Sequence, residues 1–151
     1  PAYRATSSRI ALPADTIAPV ERLGINEIPV GGIFDRGRHF RPAQVCALSG
    51  WEMTSALRHA ARQDDAPFAI VTHSFEMLSR DRRRANRAVI ARFERMCRTI
   101  AAEPGLRGVG FAALDPAIVS AGPAATRLPP SLARTAARVA AQAVAHLRYE
   151  S

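Results

Sequence analysis

The sequence predicts an α/β fold of about four strands with flanking helices, on three observations. Short apolar runs of strand character recur along the chain, amphipathic helical patterns alternate with them, and clusters of Gly, Pro and Asp mark the breaks. Such alternation favours a largely parallel sheet. At 151 residues the chain can bury a sizeable core. It falls short of the roughly 200 residues that a complete (β/α) barrel needs, so a small layered domain and the rear part of a larger barrel both fit.

The first dozen residues show no clear period. Pro13-Ala14-Asp15-Thr16 then leads into Ile17, Val20 and Leu23, a short helical spacing closed by Gly24. Asn26 to Val30 alternates polar and apolar side chains like a strand, and Pro29 puts it at an edge, a strand end or a bulge. Gly31 to Pro42 is turn-rich and basic, and Gln44 to Leu48 is a compact apolar run. Ser49 and Glu52 form an S-x-x-E capping box, in which hydroxyl and carboxylate each take a backbone N–H left unpaired by the first helical turn. The helix it opens covers about 50–63, with Met53, Ala56, Leu57, Ala60 and Ala61 recurring three and four apart. Asp64, Asp65 and Pro67 end it.

Phe68 to His73 is the clearest strand of the chain, apolar and β-branched as a strand covered on both faces should be. The arginine-dense segment Ser79–Arg84 feeds the strongest helix, about 85–103. Its stripe is Val89, Ile90, Phe93, Met96, Cys97 and Ile100, supported by the i,i+4 pair Glu94 and Arg98. Pro104-Gly105 stops it, and Leu106 to Leu114 reads as another strand. After a Pro/Ala/Gly connection over Ala121–Pro130, Ser131 caps a last helix whose seam is Leu132, Ala136, Val139, Ala143 and Leu147. Arg134, Arg138 and Arg148 fall on its solvated face.

The charge balance is 21 basic against 13 acidic residues, a net +8, and every basic residue is arginine. A coding bias towards Arg and Ala accounts for that as well as a selected surface does. With 6% aromatic residues there are few stacking platforms for single strands, which argues against nucleic acid as the partner. No apolar run approaches the roughly 18 to 20 residues of a membrane span, and the start lacks the layout of a secretory signal. Cys46 and Cys97 are far apart, form no C-x-x-C pair, and read as buried small apolar groups in a reducing, cytoplasmic setting, although two cysteines can also make one disulfide. A chain opening on Pro1 fits a fragment or a processed product.

In parallel α/β proteins the reactive groups gather at the carboxyl ends of strands. His73 ends the clearest strand, with Ser74, Phe75 and Glu76 leaving it. An imidazole there can serve as general acid or base, with Glu76 to tune or orient it; the bland alternative is a hydrogen-bonded strand end beside a solvated Glu76. Trp51 and Phe75 are candidate floors for a sugar ring, whose apolar face stacks on aromatic faces. Other patterns are weaker. Gly108 to Ala113 fits G-x-G-x-x-A without the acidic residue or helix start a dinucleotide site requires. Neither Ser49 nor Ser74 lies in a G-x-S-x-G elbow, and His39, His59, His73 and His146 make no H-x-x-x-H or H-E-x-x-H pair, so the chain offers no metal site of its own.

The segment Pro67-Phe68-Ala69-Ile70-Val71-Thr72-His73-Ser74-Phe75-Glu76-Met77-Leu78 is preceded by Arg41-Pro42-Ala43-Gln44-Val45-Cys46-Ala47-Leu48-Ser49. It is followed by a helix containing Arg92-Phe93-Glu94-Arg95-Met96-Cys97. Together these resemble the C-terminal half of polysaccharide deacetylase-like proteins, the NodB-homology or carbohydrate esterase family 4 group found among exopolysaccharide and cell-wall genes. The similarity covers about Asn26 to Leu114 and continues more loosely to the C-terminus. It implies a partial (β/α) barrel of the polysaccharide deacetylase type. It also implies a hydrolase that removes N- or O-acetyl groups from a polysaccharide with water activated by a divalent metal, held by one Asp and two His of the family's N-terminal half. The family's L-x-H motif carries the general acid that protonates the leaving amine; Val71-Thr72-His73 matches it with Val for Leu, so the resemblance makes His73 that acid. The T-F-D-D segment and the H-x-x-x-H metal pair are absent, and neither R-x-P-Y nor D-x-x-D-W can be placed. The metal ligands are therefore not in this chain, and this portion is expected to be inactive alone.

The alternative is a non-catalytic basic α/β module. Arg80, Arg82, Arg83, Arg84 and Arg87 cluster where a loop enters a helix, a place that favours anions such as an acidic glycan or nucleic acid, against a solvated loop with Asp81 partly compensating. A third reading keeps the fold without catalysis. A truncated barrel exposes a sheet edge, so the chain made alone is expected to self-associate. Sedimentation that instead finds a monodisperse, cooperatively melting monomer would count against truncation.

Overall fold

A computed structural model of the chain describes residues 16–35, 39–63, 66–115, 117, 126 and 128–149. Among the described residues the architecture is mixed α/β, with two small antiparallel sheets and three α-helices, and no (β/α) barrel is seen. Expectations for the first dozen residues, for Asp64 and Asp65, and for most of the Ala121–Pro130 connection lie outside them.

The first sheet pairs β1 (Val20–Arg22) with β2 (Ile25–Glu27), Val20 opposite Glu27 and Arg22 opposite Ile25. This overturns the helical spacing read from Ile17, Val20 and Leu23. Leu23 and Gly24 both take positive φ, 52° and 75°, the backbone sense of a tight hairpin turn whose twist matches the strands it joins. β2 ends at Glu27, ahead of Pro29, which has no N–H to give a ladder. The second sheet pairs β3 (Gly32–Phe34) with β4 (Phe40–Pro42), and the opposed rings of Phe34 and Phe40 meet edge-on with centroids 5.5 Å apart. Three-residue strands carry too few positions for an alternation to show, so this hairpin read as turns.

The clearest sequence strand is reduced to two bridges. Ala69 pairs in parallel with Val30, and Val71 in parallel with Gln44. Gly31 N donates to Ala69 O at 2.9 Å, Val71 N donates to Ala43 O at 2.9 Å, and Ala43 N closes the group by donating to Gly31 O at 2.6 Å. Residues 69–71 thus lie against the base of the β3–β4 hairpin, with His73 just past the carboxyl end of the pairing. Leu106–Leu114 joins neither sheet and ends in a 3-10 helix, Phe111–Ala113.

Helix α1 (Gly50–Ala60) starts as its capping box requires. Glu52 N donates to Ser49 Oγ at 3.2 Å, and Ser49 N donates to Glu52 Oε2 at 2.9 Å. It packs against β3, α2 (Arg87–Ala102) and α3 (Leu132–Tyr149). The core joins Ile33, Ala43, Val45 and Leu48 from the second hairpin and its exit to Met53, Ala56 and Leu57 of α1, Val89 and Met96 of α2, and Leu128. Gly105 follows α2 where a Cβ would run into the Ala61 carbonyl, so only glycine allows the close approach to α1. Cys97 is exposed rather than buried, because one residue beyond the buried Met96 the helix has turned by about 100°. Among the described residues no helix is long and apolar enough to cross a membrane.

The orientation of α3 reverses the sequence expectation. Leu132 and Val139 are more than half exposed, while Arg138 is buried. Arg138 Nε donates to Glu52 Oε1 at 3.1 Å, its Nη2 lies 3.7 Å from Asp35 Oδ2, and its Nη1 donates to Gln142 Oε1 at 3.1 Å. The side chains of Arg138, Glu52 and Asp35 are 4%, 1% and 10% exposed. Glu52 is drawn inside by its capping role, and a buried carboxylate requires a cation; that requirement outweighs the apolar seam. Arg138→Ala is therefore expected to cost about 3–5 kcal/mol by leaving Glu52 buried and unpaired, a fall of roughly 10 °C in Tm. The double variant Glu52→Gln/Arg138→Met should recover most of the loss. Equal Tm for the wild type and Arg138→Ala would show that the pair does not hold α3.

Candidate functional site

The parallel pairing of residues 69–71 delivers the chain to a rim. His73 is extended (φ −125°, ψ 139°) and heads a 3-10 helix, Ser74–Met77, with Glu76 N donating to His73 O at 3.0 Å. This tight turn brings the rings of His73 and Phe75 together, centroids 5.1 Å apart and planes 9° from parallel. Both rings are exposed, Phe75 by 55%. The stack limits the orientations open to the imidazole and presents a flat aromatic surface beside it.

Glu76 turns the other way. Gln44 Nε2 donates to its Oε1. The structure therefore binds Glu76 to the exit of β4 and not to the imidazole it was expected to orient. Cys46 lies beside this carboxylate. Burial first, then the charge and hydrogen bonding of Glu76, push its thiol from 9.0 up to about 11. Arg92 Nη1 donates to Cys46 O at 3.3 Å, and burial pulls its guanidinium down from its ordinary value. Trp51 stands on the first turn of α1, 47% exposed. Among the described residues the ring contacts join His73 to Phe75 and Phe34 to Phe40, so Trp51 is not brought into the stack.

Sequence reasoning missed Gln44, Cys46 and Arg92. Gln44 carried a faint signal, as the polar residue that opens an otherwise apolar run before Ser49. The two others read as a core thiol and as an arginine outside the helix stripe.

A separate cavity of about 30 Å³ lies near the amino end of residues 69–71, lined among others by Gly31, Ala56, His59, Gln63, Phe68 and Thr126. His59 Nε2 is 3.0 Å from Thr126 O, and Thr126 N donates to Gln63 Oε1 at 2.6 Å. The space suits one or two waters; it does not suit a sugar, and His73 does not line it. Among the described residues no three His, Cys, Asp or Glu side chains come together to hold a metal ion.

No family model, curated protein or solved structure matches the chain.

The two thiols provide a check on this environment. At about pH 8 a thiol reagent should modify the exposed Cys97 quickly and the half-buried Cys46, whose thiol is held protonated, much more slowly. Between pH 9 and 11 the unfolded chain gives up a thiol proton that folded Cys46 keeps. Stability from this group should therefore fall as pH rises through that window, and Cys46→Ala should flatten the fall. Native modification of both thiols at one rate would contradict the half-buried setting of Cys46 beside Glu76.

Proposed function

We propose that this chain is the C-terminal portion of a polysaccharide deacetylase-like hydrolase and supplies its leaving-group acid, His73. The observation that carries the reading is the position of His73. It follows a segment held by two parallel bridges, Ala69 with Val30 and Val71 with Gln44, and so lies past the carboxyl end of that pairing, the kind of position where α/β enzymes place their reactive groups. The resemblance of the surrounding segments to the deacetylase-like group supports the same assignment.

In this reading the protonated imidazole gives its proton to the departing nitrogen of the sugar as the carbon–nitrogen bond of the acetamide breaks, so the amine leaves neutral. The stack with Phe75 holds the ring for that transfer and offers its exposed face to a pyranose. Glu76 acts from below: bonded to Gln44, it anchors the 3-10 turn that carries both rings. Because His73 is exposed, the opposite wall of a glycan cleft has to come from outside the described residues. The divalent metal that the resemblance implies finds no fitting ligand group among the described residues. The part of this chain is the proton and the sugar surface.

The test is acetyl release from an N-acetylated oligosaccharide by the full-length protein. His73→Ala should lower kcat by about 10²–10⁴ with a small change in KM. Phe75→Ala should mainly raise KM. Wild-type turnover by His73→Ala would remove the assignment.

A further inference from the structure

Immediately after the 3-10 helix the chain forms a closed basic loop. Leu78 and Ala85 pair as an antiparallel bridge, Ser79 N donates to Arg84 O at 2.8 Å, and Arg82 N donates to Ser79 O at 2.8 Å. Ser79 is buried, and its hydroxyl donates to Asp81 Oδ1 at 2.5 Å and accepts from Arg84 N at 3.0 Å. Arg82 takes a left-handed φ of 58° at the turn. Asn86 N donates to Met77 O at 2.8 Å, tying the loop back to the turn that carries His73 and Phe75.

Arg80, Arg82, Arg83, Arg84 and Arg87 are all exposed. The neighbouring acid does not neutralise them through an ion pair. Asp81 Oδ1 accepts from the Ser79 hydroxyl and from Arg83 N at 3.1 Å. These bonds, the hydroxyl's first, together with the charge of Arg84, hold its carboxyl below its ordinary value while it stays exposed on the loop. Among the described residues the arginines in ion pairs with carboxylates are Arg41, Arg58, Arg98 and Arg138, none of them from the loop. Among the described residues the loop thus presents five exposed guanidinium groups that make no ion pair with a carboxylate, although Arg84 feels the charge of Asp81, on a closed backbone next to the 3-10 turn that carries the exposed aromatic stack.

Resting on the glycan-directed reading of His73, we infer that the arginine loop and the His73–Phe75 stack together bind an acidic polysaccharide, a glycan bearing carboxylates along its strand. The guanidinium fork matches a carboxylate with two parallel hydrogen bonds, and the stack matches the apolar face of one ring. A single-stranded nucleic acid would call for successive aromatic platforms, and residues 79–87 contain no aromatic side chain.

Binding of this chain to an oligogalacturonate, to a neutral chitooligosaccharide and to an oligothymidylate, each over a salt series, tests the inference. The oligogalacturonate should bind most tightly, with log K falling linearly against log salt. Arg80→Gln/Arg83→Gln should weaken it at least about tenfold and reduce the salt slope by about 2, while Phe75→Ala should weaken it about fivefold at unchanged slope. If that double variant does not fold, Arg84→Gln/Arg87→Gln makes the same test. Equal binding of the neutral oligosaccharide, or an unchanged slope in a folded double variant, would overturn the loop as the site; tighter binding of oligothymidylate would overturn the glycan. No turnover is measured, so failure here leaves the role of His73 standing. Loss of that role with oligogalacturonate binding intact leaves the loop standing.

Discussion

The guanidinium of Arg138 is the group on which the described fold turns. It reaches Asp35 at the end of β3, Glu52 in the first turn of α1 and Gln142 on its own helix. Arg41 Nε and His39 Nδ1 approach Asp35 from β4 and the residue before it, at 3.6 and 3.4 Å. Removing these charges from water costs several kcal/mol per ion, an amount recovered only when the partners keep their geometry. Hairpin, central helix and last helix are thereby held in one relative position. The consequence is visible on α3, which turns Arg138 inward and leaves Leu132 and Val139 in contact with water.

The rim around His73 has two levels. Beneath it, Gln44, Cys46, Glu76 and Arg92 form a partly buried polar group in which the thiol is kept protonated by burial and by the adjacent carboxylate. Above it, His73 and Phe75 stack in the open. The loop that follows adds positive charge to the same edge.

Legibility followed the range of the interaction. The Ser49–Glu52 box spans three residues and was readable as a motif. So was the stripe of α2, where Val89 and Met96 are buried and Phe93 and Ile100 pack beside them. Strands fared worse. Pairing, not composition, makes a strand, and among the described residues 106–114 pair with no strand while Gly32–Phe34 pairs with Phe40–Pro42. That the chain leaves a paired segment just before His73 was legible, but the partner of Glu76 was not: Gln44 lies 32 residues away, and nothing in either local pattern links the two.

By itself the sequence determined what can be settled within a turn or two of backbone. It set the start of α1, the stop of α2 at Pro104-Gly105 and the cap of α3 at Ser131, because capping and helix breaking depend on neighbouring residues. Only the tertiary structure decided that Ala69 and Val71 pair in parallel with Val30 and Gln44, that Glu76 faces Gln44, and that α3 buries an arginine. Each of these depends on groups far apart in the chain. Arg138 meets Glu52 across 86 positions, and a buried carboxylate that has lost its water constrains its partner more strongly than an apolar seam constrains a helix.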